Sequence, residues 1–379
     1  MTGRTMFGHG ATQEAGSGPR APASLGRLVR RLGAAVPARA ADGTARRAVL
    51  AVTGREGVRC GVADYADRLR AVVAARGIDV RLERLPRWSL AGLARIRLRC
   101  GLGGRDVLHI QYPSLDMGRS PAVGLAPLTI GGSRLYLTLH EFTIFGRVRK
   151  LYMLPFALSR ATVIFSNAHE RQAFERFFPV RRCRTQVVPI GSNIAVRGAP
   201  PASERARALV YFGQIGPGKG LEAFLDVAER VRAAAPDVEA VVIGSAPDRA
   251  CPVFRAVAER AGAQGLRLVL DAEPERVSEE LSRARVALLP FPDGVSEKRG
   301  SAIACLEHGL AVVTTHSDKT PDWLRSATVR HDGTAATASR IRALLDCPSA
   351  AAPDLDAAAF RALRWPDIAE RHAGLYGFG

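Results

Sequence analysis

The sequence predicts an α/β protein of two doubly wound parallel-sheet domains that face each other across a central cleft. Three observations carry this expectation. Short apolar runs alternate with longer amphipathic stretches along the chain from about residue 46 onward. The alternation restarts after a join near Pro189–Ser203, where Pro, Gly and Ser collect. Glycine-rich loops follow the strands, where open α/β sheets bind ligands. At 379 residues the chain is long enough for two cores of ordinary size.

In the first series, Ala48–Thr53, Val107–Gln111, Leu135–His140 and Thr162–Ser166 read as buried parallel strands because they are near-continuous apolar runs. Helices are expected between them at Val62–Arg76 and Ala168–Phe177. The second series gives strands at Leu209–Phe212, Ala240–Ile243, Arg267–Leu270, Val286–Pro290 and Ala311–Thr315. Its helices are expected at Leu221–Ala234, Val253–Ala261, Glu275–Arg283 and Ser301–His308. The implied division is a first domain over 46–196 and a second over 204–350.

Residues 1–45 are rich in Gly, Ala, Pro and Arg without a useful period, so this tail is expected to be disordered. Within it Leu25, Leu28, Val29 and Leu32 sit at helical spacing opposite Arg27, Arg30 and Arg31. That pattern suits a low-complexity tail or a segment resting on an anionic membrane. Net charge is +18, from 54 basic and 36 acidic residues, and only Lys150, Lys219, Lys298 and Lys319 are lysines. A basic surface attracts phosphate-bearing partners, but an Arg-rich chain that is also rich in Ala, Gly and Pro equally reflects genomic composition. No aromatic-studded basic strand accompanies the charge, so a nucleic-acid partner is not expected. The six cysteines lack metal or disulfide spacing, which points to a reducing cytoplasm. No run of 18 apolar residues is present to span a membrane.

The strongest local signal is Phe212-Gly213-Gln214-Ile215-Gly216-Pro217-Gly218-Lys219-Gly220, which leaves a strand and opens a helix. Gly213, Gly218 and Gly220 let the backbone approach a ligand, the helix N-terminus favours an anion, and Lys219 adds a full positive charge. A diphosphate is the natural guest. The loop misses a Walker A motif, because Gly220 stands where Ser or Thr would hold Mg²⁺. A second loop, Pro290–Ser301, also joins strand to helix, and its Arg299, Gly300 and Ser301 would address the same anion. Lys219 and Arg299 together suit a leaving diphosphate without metal. In the first half, Gly54-x-x-Gly57-x-x-x-Gly61 is a weaker glycine loop. His109, Gln111 and Tyr112 end one apolar strand and His140 and Glu141 another, with His140 placed to face the cleft.

Together these pieces resemble glycosyltransferase family 4, of the GT-B fold, in which two Rossmann-like domains face a cleft. The matching stretches are Arg59–Tyr65, Leu108–Pro113, Leu137–Phe142, Val188–Asn193, Gly213–Gly220, Pro290–Ser301, His308–Leu310 and a closing helix Trp365–Tyr376, in the family's order. The resemblance implies a donor held by the second domain and an acceptor near His109, Gln111, Tyr112 and Glu141 of the first. It implies that the closing helix, within 357–379, returns to the first domain. It also implies a metal-independent reaction without a cofactor, usually with retention at the anomeric carbon. By the same resemblance His140 lies beside the donor sugar, Gly61 belongs to the N-terminal glycine loop, and Lys219 and Arg299 contact the diphosphate. Two departures stand out. Gln214 and Gly216 occupy places where many members carry Arg, and Ser296 and Ala304 replace the Glu-x7-Glu pair. Glu307, one turn after Ala304 on the same helix face, is long enough to reach the ribose in place of the missing glutamate, though a nearby arginine or plain solvent exposure accounts for it as well.

The expectation is therefore a cytoplasmic glycosyltransferase using a UDP-, GDP- or dTDP-sugar, with an envelope glycan or lipid, or a secondary metabolite, as acceptor. Peripheral membrane contact is compatible with this. The competing expectation is a degenerate member that keeps nucleotide affinity as a scaffold.

Overall fold

The computed structural model describes residues 47–54, 60–114, 120–130, 134–198, 200–246, 248–347, 353–354 and 357–378. The tail with its Leu25–Leu32 segment, Gly57 and Arg59 lie outside the described residues.

The first sheet has six parallel strands: β1 (Arg47–Thr53), β2 (Asp79–Leu85), β3 (Val107–Tyr112), β4 (Arg134–Leu139), β5 (Thr162–Phe165) and β6 (Arg184–Val187). Their order is β2-β1-β3-β4-β5-β6. Register aligns Ala48 of β1 with Val107 of β3, and Val107 with Arg134 of β4. Residues Ala48 to Val52 are all 1% exposed or less, so both faces of β1 are covered. Alternation sorts them: Val49 and Ala51 join an aromatic-rich core with Phe142, Phe156 and Phe174, while Ala48 and Leu50 face Tyr65, Leu69 and Ile368.

The second sheet repeats the plan with β7 (Ala208–Phe212), β8 (Glu239–Gly244), β9 (Arg267–Leu270), β10 (Val286–Leu289), β11 (Ala311–Thr314) and β12 (Val329–Arg330). The order is β12-β11-β10-β7-β8-β9, again parallel throughout. Its core is mostly aliphatic, with Val210, Val242, Leu288 and Val312 packed against Leu225 and Val231 of the helix Leu221–Ala234.

Each expected strand and helix is present within one or two residues of its expected limits. Three strands are additional: β2, β6 and β12. All lie at sheet edges. An edge strand is covered incompletely, so Asp79–Leu85 alternates charge with apolar residues and Arg184–Val187 is polar, and neither shows an apolar run.

The closing helix Trp365–Tyr376 returns to the first sheet and packs on the helix Gly61–Ala74. Trp365 stacks at a tilt 5.4 Å from Tyr65 and donates from Nε1 to the carbonyl of Ser192 at 2.6 Å. At that crossing a side chain on Gly191 would lie 2.7 Å from the Leu363 carbonyl, so only glycine fits. Among the described residues, no helix is long and apolar enough to cross a membrane.

Candidate active site between the two sheets

The second domain contributes backbone. Gly213 leaves β7 with its carbonyl against Gly244 at the end of β8, where an added Cβ would come within 2.0 Å of that oxygen. Gly220 has φ +77° and caps the helix Leu221–Ala234; a Cβ there would strike the Pro290 carbonyl at 2.0 Å. Tyr211 ties the loop from beneath, donating from its hydroxyl to the Lys219 carbonyl at 3.1 Å. The result is a rigid loop that ends on the N-terminus of a four-turn helix, with Lys219 half-buried on it.

The second loop is pinned from behind. Val295 N–H donates to the Thr315 carbonyl at 2.8 Å, and Thr320 Oγ1 donates to the Val295 carbonyl at 2.7 Å. Arg299 opens the helix Gly300–Glu307, lies over the Phe291 ring at 4.6 Å and pairs with Asp293. Ser296 and Ser301 are half-buried and Gly300 is exposed.

The first domain contributes a side-chain network. His140 follows β4, is buried, and donates from Nε2 to Gln111 Oε1 at 3.1 Å. Gln111 Nε2 lies 3.2 Å from His109 Nε2, and His109 Nδ1 lies 2.6 Å from the Tyr376 hydroxyl of the closing helix. With His109 donating from Nδ1 to the Tyr376 hydroxyl, donation runs one way, from His140 through Gln111 and His109 to the closing helix. Burial, and then the nearby Lys298 charge, push the His140 imidazole down to about 3. Burial with the neighbouring His372 and His140 also holds His109 far below its ordinary value. Both rings are therefore neutral at physiological pH.

Lys298 reaches across from the second domain. Its ammonium pairs with Glu170 of the helix Ala168–Phe177. Glu170 also accepts from the backbone N–H of Phe142 at 2.6 Å and of Thr143 at 2.9 Å, and from the Thr143 hydroxyl at 2.7 Å. Burial raises the carboxyl, but the Lys298 hydrogen bond and charge, with Thr143, outweigh it and hold the group below its ordinary value. This ion pair joins the loop Pro290–Ser301 to the turn that carries His140.

Between the walls lies a cavity of about 1090 Å³. Gly61, Asp64, Arg68 and Glu141 line it from the first domain, and Gly213, Ser245 and Asp271 from the second. Asp271, at the end of β9, holds a left-handed backbone at φ +51°. Its carboxylate accepts from the Ala246 N–H at 3.1 Å and from Arg249 at 2.8 Å. Beside this cavity Glu307 is hydrogen-bonded to Ser192; burial pushes its carboxyl up to about 7 against the pull of Arg364 and Arg68.

Residues 206–347 match the family model described as "Glycosyl transferases group 1". Solved structures with the same two-sheet arrangement include a glycosyltransferase from Rickettsia africae, at 10% identity and TM-score 0.64, covering 88% of this chain and 98% of that one. Anabaena HepE in complex with UDP and glucose aligns at 13% identity and TM-score 0.61, over 87% of this chain and 99% of that one. S. aureus TarM, solved with fondaparinux, α-GlcNAc-glycerol and UDP, aligns at 15% identity and TM-score 0.54. That alignment covers 76% of this chain but only 58% of TarM, so this chain spans little more than half of TarM's length. At such identities the likeness is one of fold, and the fold is GT-B. No curated protein sequence matches the chain.

The expected residues fall into three groups. Gly61, Gly213 and Glu141 line the large cavity. Gly218, Lys219 and Gly220 line an adjoining depression of about 310 Å³ with Pro290, Thr315 and His331. Lys219 and Arg299 do not line one cavity, because Arg299 is folded over Phe291 onto Asp293. His109, Gln111 and Tyr112 lie inside the first domain. His109 and Gln111 are fully buried in the network, and the Tyr112 hydroxyl accepts from Arg149 at 3.1 Å. Ser296 and a buried Ala304 occupy the positions where the resemblance would place the glutamate pair.

Glu170, Lys298 and Arg68 are additional. Asn167 accepts from the Glu170 N–H at 2.9 Å, so Glu170 sits three residues past a helix cap and looks in sequence like a capping residue. A detectable signal was the lysine itself: Lys298 is one of four lysines in a chain whose other 50 basic residues are arginine.

Proposed function

We propose that the protein transfers a sugar from a nucleoside-diphosphate sugar (UDP, GDP or dTDP) to an acceptor bound by the first domain. The observation that carries this reading is the Gly213–Gly220 loop, which begins at the cavity walled by both domains and ends on a helix N-terminus beside Lys219 at the adjoining depression. Backbone N–H groups, a helix dipole and an ammonium stabilise a diphosphate, and they do so more strongly as the leaving group gains charge. The UDP and glucose in HepE, and the UDP in TarM, support a nucleotide-sugar donor.

On this reading Lys219 and a reoriented Arg299 take the charge on the leaving diphosphate, so the reaction proceeds without a divalent metal. His140, held neutral, positions the donor sugar by hydrogen bonding. It does not act as a general acid, because burial keeps the imidazole from the imidazolium form at neutral pH and its one N–H is held by Gln111. The acceptor lies on the side of Gly61, Arg68 and Glu141, and the anomeric configuration is retained.

The test is a panel of sugar nucleotides with release of nucleoside diphosphate as readout, with and without EDTA. Slow donor hydrolysis unaffected by EDTA is the expected result; indifference to every donor overturns the reading. A second reading, a scaffold that binds nucleotide without turnover, is favoured by Ser296 and Ala304 in place of glutamates and by Arg299 already paired with Asp293. Binding without any hydrolysis in the same panel would select it.

A further inference from the structure

On the flank of the first domain, away from the donor loops, an apolar stripe runs beside an arginine-lined pocket. We propose that this face docks onto a bilayer containing anionic phospholipid, with the pocket taking a lipid phosphate and the stripe entering the interface.

Ile144, Val148, Leu151, Leu154 and Leu158 follow one another at spacings of four, three, three and four. Val148, Leu151, Leu154 and Leu158 lie on a nearly continuous helical path, Arg147–Leu151 then Leu154–Leu158, bridged by backbone bonds such as Met153 N to the Lys150 carbonyl at 3.0 Å, and Ile144 precedes it in the turn after β4. That spacing places them on one face. Phe145, Met153 and Phe156 on the opposite side are buried in the core. The short helix Ala126–Thr129 packs beside Leu154–Leu158 and adds Leu128. These six side chains are between 42% and 72% exposed, whereas single exposed apolar residues need no explanation.

The stripe starts at the turn after β4, beside Glu141 of the cleft, and ends at Arg160, before β5. There it meets a pocket of about 650 Å³ at the starts of β4, β5 and β6, the ends opposite the cleft. Arg134, Arg160, Arg182 and Arg184 line it, with Ser159 and Thr162. No carboxylate lines the pocket, and none of the four arginines makes an ion pair among the described residues. Arg134 donates to the Arg105 carbonyl at 3.3 Å. From Ser120 to Arg160 the chain carries five basic residues and one acidic residue, Glu141.

An uncompensated arginine cluster calls for phosphate. A protruding apolar stripe calls for a non-aqueous phase. An anionic membrane surface supplies both at once, and basic residues near it each add to affinity. This surface does not depend on the donor chemistry.

The full chain should co-sediment with phosphatidylglycerol/phosphatidylcholine vesicles and weakly with phosphatidylcholine alone. Val148→Asp with Leu154→Asp, and separately Arg182→Glu with Arg184→Glu, should each lower the partition roughly tenfold or more, since reversing two basic residues alone removes about four charge units. These side chains are exposed, so circular dichroism and melting should be unchanged; Leu151→Gln and Arg182→Ala serve if either double variant fails to fold. Absence of binding to anionic vesicles overturns the proposal. So does equal binding by wild type and both variants, which would place the contact elsewhere. Loss in the arginine variant only, with inorganic phosphate displacing wild type, would assign the pocket to a free phosphate and overturn it as well.

Discussion

The two walls of the cleft are built from different materials. On the second-domain side the candidate site is built from backbone: Gly213, Gly220 and Gly244 in positions where a Cβ collides, and helix N-termini that present N–H groups. On the opposite side it is carried by side chains held inside an aromatic core: His140, Gln111, His109 and Tyr376 in one chain of hydrogen bonds. Backbone sites follow from local sequence, because a glycine loop and its helix lie within a dozen residues. Side-chain networks draw on the whole chain; His109 and Tyr376 are 267 residues apart. One ion pair, Glu170 with Lys298, couples the two walls.

The comparison breaks most sharply at the donor loops. Lys219→Ala and Arg299→Ala should each lower turnover roughly a hundredfold, since one group stabilising developing charge contributes on the order of 3 kcal/mol. His140→Ala, on the other wall, should impair turnover while leaving affinity for the nucleoside diphosphate intact. If His140→Ala lost nucleotide affinity and Lys219→Ala kept turnover, the roles of the walls would be reversed.

Glu170→Gln tests the coupling. It removes the charge from a buried carboxylate with four hydrogen-bonding partners. Breaking one side of such a pair should destabilise by about 2 kcal/mol, less than for a fully buried pair because Lys298 keeps some contact with water. Differential scanning calorimetry reads this as a lower melting temperature. An unchanged melt would mean that the two walls are held together without it.

A smaller effect is expected from pH. His109, His140 and His372 have lowered proton affinities in the fold, His140 and His372 to about 3. The unfolded chain binds those protons near the ordinary value of 6.5, so the folded state is favoured fully above that and progressively less as pH falls toward 3. Glu307, raised to about 7, works in the opposite sense between about 4.5 and 7 and offsets one of the three histidines. Melting temperature should therefore fall between pH 7 and pH 5. His372→Phe should flatten the slope, and an equal slope in that variant would remove the network as its source.

The smallest effect is expected at Glu307. Its partner in the structure is Ser192, at the join between the domains, with Arg68 and Arg364 near enough to lower its proton affinity. Glu307→Gln should weaken donor binding a few fold if the carboxylate turns to the ribose. Unchanged donor affinity with a lowered melting temperature would assign it to the join instead.

The central strands and the glycine loops were legible because each leaves a continuous local pattern; His140, expected to face the cleft, is instead buried behind it. Edge strands β2, β6 and β12 were not, since partial exposure replaces the apolar run with charged and polar residues. His109 and Gln111 were legible as polar residues ending an apolar strand, but not as interior groups, because the residue that buries them, Tyr376, arrives with the closing helix.

The amino-acid sequence by itself determined the two α/β series, their join, the glycine loops and the cations on them, because periodicity and glycine spacing act over one or two elements. Only the tertiary structure decided which polar groups meet: Glu170 with Lys298, Arg299 with Asp293, and Glu307 with Ser192. The last was invisible for the same reason as the arginine pocket, whose four members come from three separate segments. Pairing of buried charges is set by strand order and the packing of distant elements, which no local pattern records.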